Sequence, residues 1–199
     1  MKVLLIGASG MIGRALAHAL SSDHDVITAS RSSGDFQVDV ANPDSLRALF
    51  AQTGPLDAII STAGDGVMAP LATMSDDDLN RTLDTQMKGQ INVLRLGLNA
   101  VTPGGSITLT SGVAAQNPMP STSAIAASCA ALEAFTRTAA TEVDTIRLNV
   151  VSPIFVKESM ALFGLPTDGG LSAADTAKSY LAAITGDLHG QILSTPDFA

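Results

Sequence analysis

Residues 3–13 read Val3-Leu4-Leu5-Ile6-Gly7-Ala8-Ser9-Gly10-Met11-Ile12-Gly13, and this stretch decides the fold. Val3 to Ile6 is a continuous apolar run closed by glycine, the pattern of a strand buried on both faces. From Met11 to Leu20 apolar residues recur at helical spacing, with Met11, Ala15 and Ala19 on one face. The stretch therefore predicts strand, glycine-rich turn and helix. In such a unit the first glycine permits a tight turn, the second lets a pyrophosphate approach the backbone, and the third lets helix and strand pack closely. The helix N-terminus then offers free N–H groups and positive partial charge to phosphate. The candidate dinucleotide-binding residues here are Gly7, Ser9, Gly10, Met11, Ile12 and Gly13.

Working outward, strands and helices alternate. Asp25 to Ala29 and Phe36 to Val40 read as the second and third strands. Asn42-Pro43-Asp44 opens a helix to about Gln52, with Pro43 at its first position. Asp57 to Ser61 is the fourth strand. Ser75 caps a long helix whose first turn carries Asp76, Asp77 and Asp78, and which continues to Leu98 before Pro103-Gly104-Gly105. Ser106 to Thr110, Arg147 to Val151 and Gln191 to Ser194 complete the strands. Two further helices span about Ser121 to Val143 and Ala173 to Ile184, and no element is assigned over residues 157–170. The alternation predicts an α/β, doubly wound parallel sheet, a Rossmann fold of about seven strands with helices on both faces. It also predicts one domain over residues 1–199.

Composition narrows the function. The chain has 199 residues, 46% apolar and 15% charged, enough to bury one sizeable core. The net charge of −8 disfavours nucleic acid as a partner, because phosphate backbones repel it. Cys129 is the sole cysteine, so no intramolecular disulfide forms, and His18, His24 and His189 show no ligand spacing; no metal is expected. The apolar run before Gly7 is too short for a signal segment, and no stretch approaches a membrane span, which predicts a cytoplasmic protein without a membrane partner.

The end of the second strand selects the cofactor. An acidic residue there would bind a ribose 2′-hydroxyl and mark NAD. This chain has Ser30-Arg31-Ser32-Ser33. Arginine pairs a 2′-phosphate bidentately and serines donate to it, so NADP(H) is the cofactor expected, held by Ser30, Arg31 and Ser32.

Further segments follow in order: Asp39-Val40, Ser61-Thr62-Ala63-Gly64, Asp84-Thr85-Gln86-Met87-Lys88-Gly89, Thr108-Leu109-Thr110-Ser111-Gly112 and Arg147-Leu148-Asn149-Val150-Val151-Ser152-Pro153. Together with the glycine turn they make residues 1–156 resemble the short-chain dehydrogenase/reductase family. The resemblance implies that Asp39 and Val40 contact adenine and that Thr62, Ala63 and Gly64 line the cofactor after the fourth strand. It counts Pro153 and Val156 among the cofactor-binding residues, with residues 154 to 156 along the nicotinamide carboxamide, and places Ser111 at the catalytic serine. It further implies a small-molecule substrate of carbonyl type and a homodimer or homotetramer built on the long helices, the second of which is rich in alanine.

The catalytic centre departs from the family pattern. That pattern places Tyr-x-x-x-Lys on one helix, the tyrosine moving the proton and the lysine holding the ribose, with an asparagine on the preceding helix. The matching segment here is Ile125-Ala126-Ala127-Ser128-Cys129-Ala130-Ala131-Leu132. Ile125 stands at the tyrosine position, Cys129 at the lysine position and Gln86 at the asparagine position; only Ser111 is retained. The sole tyrosine, Tyr180, falls in another helix. Two readings follow. One is an oxidoreductase with a non-standard site, in which Ser111 polarises a carbonyl; the other is a non-catalytic NADP(H)-binding sensor or regulatory protein.

Overall fold

The computed structural model describes residues 1–162 and 164–199. Seven parallel strands form one sheet: β1 (Lys2–Ile6), β2 (Asp25–Ser30), β3 (Phe36–Gln37), β4 (Leu56–Ser61), β5 (Val101–Thr110), β6 (Arg147–Ser152) and β7 (Ile192–Ser194). Their order is β3-β2-β1-β4-β5-β6-β7. The chain runs outward from β1 to β3 and then returns to place β4 on the other side of β1. A crevice opens at such a reversal, at the carboxyl ends of the strands.

Alternate residues of β1 feed opposite cores. Leu4 and Ile6 pack beneath α2 (Pro43–Thr53), α4 (Gln90–Gly97) and α5 (Ser123–Ala140), through Leu46, Leu49, Val93, Leu94 and Leu132. Val3 and Leu5 pack on the other face against α1 (Met11–Leu20) and α7 (Ala173–Thr185), through Leu16, Leu20, Tyr180 and Ile184. Val3 to Ile6 are wholly buried, as the apolar run requires.

Helix starts follow their caps. Asn42 accepts a hydrogen bond from Asp44 N with Pro43 at the first turn of α2. Ser75 and Asp78 form a reciprocal capping box at α3 (Asp76–Thr82).

Several boundaries differ from the sequence reading. The third strand keeps only Phe36 and Gln37 of the expected five residues, because Asp39 turns the chain. Its N–H donates to Ser45 Oγ, and its carboxylate accepts from Ala41 N. The helix expected from Ser75 to Leu98 is continuous but not uniform: α3 passes into a π-helical segment, Leu83–Gly89, before α4. Pro103-Gly104-Gly105, read as the stop before the fifth strand, lies within β5 at a shift of register against β4. Over residues 157–170 the structure adds α6 (Lys157–Leu162); residue 163 lies outside the described residues.

Candidate active site

The glycine turn forms one side of a cleft of about 400 Å³ at the β1/β4 reversal. Gly7, Ser9 and Gly10 line it from the turn. Gly7 has φ +91°, and a Cβ there would stand 2.7 Å from Ala63 N and from Thr62 Oγ1. The turn is thereby pressed against the segment after β4, where Thr62, Ala63 and Gly64 also line the cleft. Thr62 Oγ1 donates to Gly7 O at 3.2 Å and fixes the two segments together. Gly13 lies beneath the turn, where a Cβ would come within 2.1 Å of Gly7 O. Helix α1 has Gly10 as its N-cap and no side-chain cap, so its first-turn N–H groups are left for an anion. Met11 instead touches α6, its sulfur 3.5 Å from Ser159 Oγ.

The opposite side carries charge. Ser30 and Arg31 extend from β2, and Val38, Asp39 and Val40 follow β3. Ser30 Oγ donates to Ser33 O at 2.5 Å, so this hydroxyl braces its own turn, while Ser32 is exposed and outside the cleft lining. Asp35 ties the same turn back to β2. Hydrogen bonds from Thr28 N–H, first, and Thr28 Oγ hold its carboxyl below the usual range. Arg31 Nη1 lies 3.9 Å from Asp65 Oδ2, and Arg81 on α3 donates to that same oxygen from Nε at 2.9 Å and Nη2 at 2.5 Å. Two guanidiniums thus flank the mouth with one carboxylate between them. Neither Arg81 nor Asp65 was foreseeable from the linear sequence, since neither falls in a recognised motif.

The remaining predicted residues lie outside this cleft lining, around the end of β5 and on α5, the π-helical segment and the stretch after β6. Gln86 sits at the middle of the π-helical segment and donates from Nε2 to Cys129 Sγ at 3.6 Å. Its Oε1 is buried without a hydrogen-bond partner among the described residues. Ile125, in the first turn of α5, lies beside it: a Cβ on Gly66 would meet both Gln86 Oε1, at 2.5 Å, and Ile125 Cγ1, at 3.0 Å. Cys129 is 1% exposed. Burial, and then the charge of Glu133, push its thiol up to about 12, so it remains protonated and packs as a small apolar group. Pro153 and Val156 follow β6; Pro153 O accepts from Val113 N, and buried Val156 bridges to Leu171.

Ser111 directly follows β5, and its Oγ donates to Glu133 Oε1 at 2.8 Å. Glu133 escaped the sequence reading, although it stands four residues after Cys129 and eight after Ile125 on the same helix. Tyr180 does not enter this group. Its hydroxyl bonds Thr110 Oγ1 at 2.7 Å, and burial pushes its phenol well up against the lowering effect of that bond.

The sequence profile of the family described as enoyl-(acyl carrier protein) reductase matches residues 8–186. The chain belongs to the short-chain dehydrogenase/reductase family. Among short-chain dehydrogenase/reductase relatives, it is 28% identical over 153 residues to the hydroxynaphthalene reductase arp2 of Aspergillus fumigatus, covering 72% of this chain and 56% of that one. The chain spans a little over half the length of the first curated relatives it matches, 56% and 55%. Solved structures match more fully. The protein lin1944 from Listeria innocua superposes with a TM-score of 0.93 at 35% identity, over 98% of each chain. A small-chain dehydrogenase solved in complex with NADPH gives 0.87 at 28% identity, over 98% of this chain and 95% of that one.

Among the described residues no cluster of three or more His, Cys, Asp or Glu is placed to hold a metal. Also among them, no helix is long and apolar enough to cross a membrane.

Proposed function

We propose that this chain is an NADP(H)-dependent oxidoreductase acting on a small alcohol or carbonyl substrate. The observation that carries the reading is the cleft itself. A tight glycine turn and an uncapped helix N-terminus face one side, and two arginines flank its mouth on the other. The pyrophosphate would meet the backbone of Gly7, Ser9, Gly10, Met11 and Ile12, with Gly13 permitting their approach. Arg31 would take the 2′-phosphate, Asp39 and Val40 the adenine, and Thr62 to Gly64 the adjoining ribose. When bound, the cofactor supplies or accepts a hydride. The chain's own part is to orient the substrate oxygen and exchange its proton, and Ser111 is the hydroxyl placed to do so.

The sensor reading rests on Ile125 and Cys129, neither of which transfers a proton at neutral pH. A carboxylate in contact with Ser111 supports the catalytic reading over it.

Calorimetric titration with NADPH and NADH tests the cofactor assignment. NADPH is expected to bind the more tightly. Arg31→Ala should remove a charged hydrogen bond and weaken NADPH by about tenfold to a hundredfold, leaving NADH nearly unchanged. Equal weakening of both nucleotides would refute the 2′-phosphate role, and binding of neither would refute the cofactor assignment.

The reading also includes a reducing compartment, the cytoplasm, where a lone cysteine stays a thiol. It includes self-association as a homodimer or homotetramer. Ala127, Ala130 and Ala134 form an exposed face of small residues on α5, which suits close packing of a second copy. Sedimentation at micromolar concentration should report at least a dimer; a monomer overturns this part.

A further inference from the structure

Beneath Ser111 lies a carboxylate that no role above uses. Glu133 is 3% exposed and forms no salt bridge among the described residues. Its two oxygens have separate neutral partners: Ser111 Oγ donates to Oε1 at 2.8 Å, and Gln116 Nε2 donates to Oε2 at 2.6 Å. A carboxylate withdrawn from water with neutral donors alone is unfavourable, and a well-packed apolar residue would avoid that penalty.

Its place on α5 is informative. Ile125, Cys129 and Glu133 follow one another at intervals of four and so share a stripe of the helix. The first two exchange no proton near neutral pH. Glu133, one turn further on, carries the carboxylate of the stripe, and Ser111 connects it to the end of β5.

The polarity of the hydrogen bond matters as much. An ionised carboxylate only accepts, so the single hydrogen of Ser111 points at Glu133. The oxygen of Ser111 then has lone-pair capacity for a substrate hydroxyl, but no hydrogen to give a ketone. This reverses the expectation that Ser111 polarises a carbonyl directly.

Resting on the oxidoreductase reading above, we propose that Glu133 takes the hydroxyl proton of a secondary alcohol through Ser111 during oxidation, and returns it during ketone reduction. The alcohol O–H bond breaks and its proton passes to Ser111 Oγ, whose own proton passes to Glu133 Oε1. The carbinol C–H bond breaks, and its hydrogen leaves with both electrons to the oxidised nicotinamide nucleotide. The former O–H electron pair becomes the second C=O bond. The alcohol loses two electrons, the nucleotide gains them, and one proton remains on Glu133. Gln116 fixes Oε2 and so keeps Oε1 turned to Ser111. Glu133 touches no substrate atom in this scheme; it is a positioning residue that also stores the proton.

Neutral groups face Glu133. From its own helix it is faced by Cys129, which stays protonated. The segment after β5 presents Ser111 and Gln116, and β6 presents the Val151 carbonyl, 3.5 Å from Ser111 Oγ.

The test uses the full chain with NADP+ and a panel of aliphatic and alicyclic secondary alcohols, across the pH range in which the fold is retained. In the wild type, oxidation should rise with pH through one ionisation. Infrared spectra of the unliganded protein should show a protonated-carboxyl band vanishing through the same ionisation, and that band should be missing in Glu133→Gln. Glu133→Gln should oxidise about 10²–10⁴-fold more slowly, lose the rise with pH, and keep wild-type NADPH affinity. Glu133→Asp should recover part of both the rate and the rise. A folded Glu133→Gln variant that keeps the rate or the pH rise would overturn the relay alone, as would infrared and kinetic ionisations that fail to coincide. A wild type that binds NADPH yet oxidises no alcohol would overturn the oxidoreductase reading and the relay with it. Should Glu133→Gln not fold, Ser111→Ala breaks the relay at its other end: the pH rise should vanish while the infrared band stays, and a retained rise overturns the proposal.

Discussion

Gly13→Ala is expected to unseat α1 and damage the cleft and the fold together. The added Cβ would lie 2.1 Å from Gly7 O and 2.9 Å from Gly7 C and Ala8 Cα. All three are backbone atoms, so no side-chain rotation relieves the clash. The helix must move away from the turn. Leu16 and Leu20 move with it, and both are fully buried against β1 and α7. Overpacking of this kind costs about 3 kcal/mol or more, lowering Tm by roughly 6–12 °C for a chain of this size. Displacing two N–H groups from a bound phosphate, at about 1.5 kcal/mol each, weakens NADPH by about a hundredfold. Gly10→Ala is the control, because among the described residues its Cβ would meet only Gly7 O, at 3.3 Å. It should impair NADPH binding while barely moving Tm. Wild-type melting and affinity in Gly13→Ala would show that the turn is not packed as described.

Tyr180→Ala is the second large effect, and it acts through the carboxyl end of β5. The side chain is wholly buried between α7 and the sheet. Thr110 Oγ1 gives its hydrogen to Ser61 O at 2.7 Å, so Tyr180 must be the donor in its own 2.7 Å bond to Thr110. The phenol therefore anchors the residue immediately before Ser111. Truncation to alanine leaves a cavity and should cost about 3–5 kcal/mol, a fall in Tm of roughly 6–20 °C. Tyr180→Phe keeps the ring, loses one hydrogen bond, and should cost about 1 kcal/mol. Equal melting of the two variants would mean that the ring contributes nothing beyond its hydroxyl.

The order of elements was legible because it is written in local patterns. Val3 to Ile6 announces a two-sided strand, Asn42-Pro43 and Ser75 announce helix starts, and the glycine spacing announces the turn. What escaped depends on contacts between distant residues. Asp39 shortens β3 through Ser45, and β4 draws Pro103-Gly104-Gly105 into β5. Helix α5 starts at Ser123 rather than Ser121, which adopts φ +66°. The π-helical segment has no sequence signature, yet it sets Gln86 against Cys129. In the site, the glycines and Arg31 were readable, because dinucleotide binding needs those residue types in those places. Arg81 reaches the cleft mouth only because Asp65, sixteen residues earlier, meets it there. Glu133 looked like one charge in an alanine-rich helix until the fold buried it against Ser111.

The two guanidiniums at the cleft mouth share it with two carboxylates, Asp39 and Asp65, so the charges lining the entrance cancel in a molecule whose net charge is −8. Such an entrance casts no attractive field into solution, and a polyanionic nucleotide gains nothing from it at a distance of several Debye lengths. Encounters are left to diffusion, and discrimination is deferred until the ligand is within contact of Arg31 and the glycine turn. Selectivity between nucleotides that differ by one phosphate then resides in how long each stays, rather than in how often each arrives.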